Sequence, residues 1–304
     1  MLIQLPRQQA LAPLLTSLAF AASAGNGTNA MQSLTQLAES LINSIPERTD
    51  VTRADGLRQA ILQSGILLEA GLTRSDGEAG ANVSSDIKAL LLRLLSILEK
   101  PAFEYALRTN ASAVADTSRD TTEVPPPQKH QPVSQPRARL NTSSDDAGVA
   151  VDIPALYKKA QGALARIVLH QIASSDTNDA GALAWRLELP VRQQDAVDIV
   201  SISIEDERNH AEESEAKNWV VNLAVELPVL GALHVRVGLY QHSITSTFWC
   251  ESPGSVELIE NRLAELRTRL EKQGLKTLNL GCLAGSPPAR ESSSEARVLL
   301  DEHA

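Results

Sequence analysis

The side chains able to do chemistry are few in this chain, and their spacing does not gather them. There are six histidines and two cysteines in 304 residues. His170 falls in a helical stretch, His234 and His242 do not face each other in the hairpin expected there, and His130 and His303 lie in coil-like sequence. A metal site needs three or four such ligands converging, so none is expected. Cys250 and Cys282 lack the CxxC spacing of zinc sites and are too few for a disulfide framework, so they read as reduced core thiols. Glu205, Asp206 and Glu207 are paired carboxylates only along the chain; neighbours on a strand end point apart, and general acid–base work needs convergence in a cleft. Nor is there a GxxxxGK[ST], GxGxxG, HExxH or GxSxG pattern. The expectation is a protein that is not an enzyme and carries no cofactor.

Composition narrows the class further. A net charge of −9 gives no general attraction to phosphate backbones or anionic lipid, so nucleic acid is not an expected partner. Much of that charge is local: Gln193 to Glu215 holds eight acids against Arg208 alone, which reads as a solvated loop. Pro13, Thr16, Ser17 and Ser23 interrupt the most apolar stretch, so no membrane insertion is expected. Ala22-Ser23-Ala24 has the look of a cleavage site, but Arg7 is the only basic residue before it. The leading segment therefore reads as an amphipathic or unfolded, uncleaved export address. Of nine aromatic residues, five (Trp185, Trp219, Tyr240, Phe248, Trp249) follow residue 180, which places the best-packed domain C-terminally.

Hydrophobic periodicity divides the chain. Residues 1–105 read as a mainly helical N-terminal region: Met31, Leu34, Leu37, Leu41 and Ile45 recur at helical spacing up to Pro46; Leu57, Ile61, Leu68 and Leu72 repeat it; Ile87, Leu91, Leu94 and Leu98 follow, with Pro101 as the stop. Residues 106–152 contain no aromatic residue and five prolines between Pro125 and Pro136, the composition of a disordered linker. Residues 285–304 read as a polar tail.

Between them, residues 153–284 read as an α+β domain, helices packed on a mixed or antiparallel sheet, with its core at 219–282. Leu156 to Ile172 keeps the helical period, and alternation at Leu183–Leu189 (ended by Pro190) and Val200–Ile204 gives two strands. Val221, Leu223, Val225 and Leu227 share one strand face. Leu233, Val235, Val237 and Leu239 share the next, after a turn at Pro228 to Gly231. Gln241-His242 turns the chain into Ile244–Cys250. Ser252-Pro253 has the form of an N-cap with proline in the first turn, Val256, Ile259, Leu263, Leu266 and Leu270 make the stripe, and Gly274 sits where a left-handed cap belongs. Leu278, Leu280 and Cys282 close the sheet.

The run Leu227-Pro228-Val229-Leu230-Gly231, the strand Ile244-Thr245-Ser246-Thr247-Phe248-Trp249, the Ser252-Pro253 start, Leu263-Ala264-Glu265-Leu266-Arg267 and Gly274-Leu275 together resemble the C-terminal domain of the flagellar hook-length control protein family. Residues 57–69 and 86–91 are similar to helical segments of longer members. The resemblance implies a regulator that waits in the bacterial cytoplasm and is then exported through the flagellar type III channel. There its N-terminal part, acting as a molecular ruler, samples hook and hook-cap subunits. Its C-terminal domain meets the cytoplasmic domain of the autocleaving export-gate protein and switches export from hook to filament subunits. Carried onto matching positions, the switch surface would include Pro228, Leu230, Gly231, Leu233 and Val235. Tyr240 and Trp249 join them as aromatics expected on the outer face of the sheet. The linker is shorter and less proline-rich than the family's ruler regions. Two other readings stay open: an injectisome needle-length or export accessory, and a non-exported helical scaffold. A monomer is expected.

Overall fold

A computed structural model describes residues 8–23, 29–73, 84–108, 124–125, 132–141, 151–175, 184–206 and 218–288. The acidic residues 207–217 and the tail beyond 288 lie outside them, as does most of the stretch read as linker. The helices are α1 (Leu11–Ser23), α2 (Asn29–Ser44), α3 (Arg48–Val51), α4 (Ala54–Leu62), α5 (Leu68–Leu72), α6 (Ile87–Arg108), α7 (Ile153–Ser175) and α8 (Pro253–Lys272). The strands are β1 (Ala138–Arg139), β2 (Ala184–Gln193), β3 (Ala196–Asp206), β4 (Asn218–Leu227), β5 (Gly231–Tyr240), β6 (Ser243–Cys250) and β7 (Lys276–Ala284). The chain is α+β: helices come first, and the sheet runs β2-β3-β4-β5-β6-β7, antiparallel except for the parallel β6–β7 pair, with β1 against the other edge of β3.

The helical region and the sheet share one core. Leu14, Leu15, Leu18, Leu34, Leu41, Leu91, Leu94 and Leu98 are fully buried, with Leu156, Ala160, Val197 and Ile199, so α1, α2, α6 and α7 close on one face of β3. Residues of α1 are buried around most of its circumference, including Leu11, Ala12, Leu15, Leu18 and Ala21. The segment expected to be amphipathic or unfolded is instead an interior helix, because its apolar residues outnumber one face and its polar members, Thr16, Ser17 and Ser23, bond back to the carbonyls of Ala12, Pro13 and Phe20. Residues 132–141, within the proline-rich stretch, also lie against the body: Ala138 pairs with Val197, and Ser201 Oγ donates 2.6 Å to Val133 O.

Three local expectations differ from the structure. The helix drawn through Leu57 and Leu72 is two helices, α4 and α5, broken where Gly65 takes φ +92°; a Cβ there would lie 2.9 Å from Lys88 Cβ. Helix α6 runs through Pro101 to Arg108, since a proline removes one backbone bond and kinks a helix without having to end it. Pro190 lies inside β2. Arg192 N–H donates 2.8 Å to Pro46 O, away from β3, and Pro190, two residues earlier, faces the same outer side, where no ladder bond is lost.

One row of side chains crosses the whole sheet in register: Leu187, Ile202, Leu223, Val235, Phe248 and Cys282. Ala60 and Ile61 of α4 cover its β2–β3 end, and α8 packs on β6 and β7 at the other. The start of α8 is as the sequence implied. Ser252 accepts from Ser255 N at 3.1 Å, Pro253 opens the helix, and Gly274 ends it at φ +81°.

Candidate partner-binding surface

The β4–β5 turn is built by three constraints. Leu227 pairs with Gly231, leaving Pro228, Val229 and Leu230 as the loop, and Gly231 closes it at φ +72°, the left-handed position of a three-residue hairpin. Ser255 then donates 3.0 Å to Leu230 O, so the first turn of α8 pins the loop from the side. Because that carbonyl points inward, Pro228 and Val229 are left on the surface, Val229 at 78% exposure. The result is a small apolar knuckle on a fixed backbone. Val229, the most exposed residue of the turn, is not among the switch residues that the resemblance assigns; its place between Pro228 and Leu230 in a three-residue loop is the signal that points to it.

The other expected contact residues lie elsewhere. Leu233 and Val235 point to the row-bearing face of the sheet. Val235 is buried at 8% exposure, opposite Phe248, and Leu233 is half-buried opposite Cys250. Tyr240 is 47% exposed, but it ends β5 while the turn begins it, nine steps and about 30 Å away along the strand. Trp249, expected on the outer face for contact, is 9% exposed: it sits on the opposite face from Val235, in register with His234 and Leu283. Pro228, Leu230 and Gly231 thus share the turn, Leu233 and Val235 follow two and four residues along β5, Tyr240 lies at the far end of that strand and Trp249 on the opposite face of the sheet.

The acids read as a solvated loop are partly interior. Asp198, Glu205 and Asp206 of β3 are buried; Arg137 Nε lies 2.6 Å from Asp198 Oδ1, and Ser203 Oγ donates 3.0 Å to Glu205. The strongest buried cluster joins α7 to β2. Glu188 Oε1 is 2.7 Å from Arg166 Nε and 3.1 Å from His170 Nε2, and Arg166 also donates to Gln8 and, at 3.0 Å, to Pro125 O. Burial pushes the Glu188 carboxyl up, but His170 and Arg166 together outweigh it and hold it at about 2. These groups are matched ion pairs that fasten elements together, with no nucleophile–base pair among them. Cys250 and Cys282 are free thiols with Sγ atoms 4.0 Å apart; burial, then the neighbouring thiol, pushes Cys250 up to about 11. Among the described residues no group of three His, Cys, Asp or Glu could hold a metal ion, and no helix is long and apolar enough to cross a membrane.

The turn, the sheet and its crossover helix form an α+β unit that displays a small apolar loop held by a backbone-directed hydrogen bond. The comparisons give that unit its family. Residues 207–291, which take in β4, β5, β6, α8 and β7, match the family model described as Flagellar hook-length control protein FliK. The C-terminal part of this chain is therefore similar to the domain that defines the hook-length control family. No curated protein and no solved structure matches the chain.

Proposed function

We propose that this protein controls flagellar hook length and switches the specificity of type III export, and that the exposed turn Pro228-Val229-Leu230-Gly231 is where it touches the cytoplasmic domain of the export-gate protein. The observation that carries the reading is the coincidence of the family match with a loop of that segment that is both apolar and held from behind by a buried serine. Surface apolar side chains on a fixed backbone bind without a large ordering cost, which suits a brief contact that must be read once. The chain waits in the cytoplasm and leaves through the flagellar channel, where its N-terminal part meets hook and hook-cap subunits and serves as the ruler. The non-exported scaffold draws on one observation, the burial of α1 in the common core, since a chain threading a narrow channel has first to release that helix.

The test uses Val229→Asp and Pro228→Ala in the native host. Both side chains are exposed, so the domain keeps its stability, and hooks should grow beyond the wild-type length while the variant protein is still secreted. Normal hooks from both variants, or overlong hooks only where the variant protein has unfolded, would refute the assignment of the turn.

A further inference from the structure

Strands β4 and β5 alternate strictly enough to show which of their faces should be covered. Val221, Leu223 and Val225 of β4 and Leu233, Val237 and Leu239 of β5 share one face, with Asn222, Glu226, His234 and Arg236 on the other. Such alternation belongs to a sheet whose apolar face is packed and whose polar face is wet. Yet all six of those apolar side chains are only half-buried. On that face α4 covers β2 and β3 through Ala60 and Ile61, and α8 packs on β7 and, to a lesser extent, on β6. β4 and β5 form an apolar floor between them. About four strand spacings, roughly 19 Å, separate the two helices, and helices pack about 8–10 Å apart, so the floor is one helix wide.

We propose that residues 293–303 of this chain close that floor as an amphipathic helix. Among the segments outside the described residues, 289–304 alone joins leucines to a helix start signal. Ser292 stands three residues before Glu295, the capping-box spacing, and Ala296, Leu299 and Leu300 follow at helical spacing. Glu295, Arg297, Asp301 and Glu302 occupy the rest of the wheel, with Val298 the one large apolar residue among them, so the segment is polar in composition but amphipathic in order. Residues 1–7 also hold leucines, but they join at Gln8, whose bond to Arg166 places it beside Glu188 on the opposite face of the sheet.

The tether starts at the matching end. β7 finishes at Ala284, level with Cys250, Leu233 and Val225, so the chain leaves the sheet beside the Pro228–Gly231 turn. Gly285 bends it at φ +101°, and Pro287 is half-buried, so the chain stays against the body past the strand. Gly285 to Ser292 extends to about 26 Å. Rounding the start of α8 to a point about 12 Å across the sheet and about 10 Å above it takes roughly 20 Å. A helix over 293–303 is about 16 Å long against about 33 Å for β4. It therefore covers the half of the floor nearest the turn, around Val225 and Leu233, and stops short of Leu239. The matched family segment ends at residue 291, so this cover lies outside it.

The test labels single introduced cysteines in the full-length chain, where Cys250 and Cys282 are buried. Val225→Cys should react slowly with a maleimide at neutral pH, and adding Leu299→Asp and Leu300→Asp should speed it about tenfold or more. Leu233→Cys, opposite Val225 in the register, is a second site for the same comparison. Leu239→Cys, at the far end of the floor, should react at one rate with either tail. Equal rates for Val225→Cys and Leu233→Cys with either tail, or an acceleration that Leu239→Cys shares, would overturn the proposal. Protection that survives Leu299→Asp and Leu300→Asp but falls on dilution would overturn it as well, by assigning the floor to a second copy.

Discussion

Replacing Glu188 by glutamine tests how the helical region is held to the sheet. Glu188 and Arg166 are 9% and 3% exposed, so Glu188→Gln keeps the shape but leaves a buried guanidinium with only neutral acceptors, at an expected cost of about 3–5 kcal/mol near neutral pH. The pH dependence sharpens the test. The folded carboxyl is held at about 2 against an ordinary 4.5, so its contribution, about 3 kcal/mol, is fully present above pH 4.5 and is lost as the pH falls from there toward 2. Urea unfolding followed by tryptophan fluorescence reads the right region, because Trp185 of β2 stacks on Trp219 of β4 at 5.7 Å. The wild type should lose stability on acidification through that window, and Glu188→Gln should be weaker at neutral pH and flatter below 4.5. A loss under about 1 kcal/mol at neutral pH, together with an unchanged acid profile, would refute the claim that this pair fastens α7 to β2.

Other outcomes follow from the same geometry. Ser255→Ala removes the bond to Leu230 O and should cost about 1 kcal/mol, with faster amide exchange confined to residues 228–231; protection unchanged there would show that the helix does not hold the turn. Gly231→Ala puts a methyl into open space but at φ +72°, so a loss of about 1 kcal/mol in thermal stability is expected, and a gain would deny the left-handed strain. The thiol of Cys250, pushed up to about 11 and buried, should resist a thiol reagent at pH 8 until the chain is unfolded, and prompt labelling of the folded protein would contradict its burial.

Most of the C-terminal module could be read from the residues. Period-two alternation located β4, β5 and β6, and the Ser252-Pro253 start and Gly274 end bounded α8, because these signals depend on nearest neighbours along the chain. What escaped depended on pairing across it. Pro190 stops a strand unless its nitrogen faces an edge, and the edge exists only once β3 has chosen its partners. Trp249 was expected outside because one face of β6 was assigned to the core, whereas strands of a two-sided sheet bury residues on both faces. The acids of β3 look like solvent ligands until Arg137 comes within reach from sixty residues away. Of the expected switch surface, the turn held together because it is local, and Tyr240 separated from it because the length of one strand intervenes.

Hook length in a strain lacking this gene is the most direct test of the functional account, measured by electron microscopy on purified hook–basal bodies. The account predicts intact basal structures carrying overlong hooks of broad length distribution and few filaments, restored to a narrow distribution by the wild-type chain. Hooks of normal, narrow length in the deletion strain would contradict it.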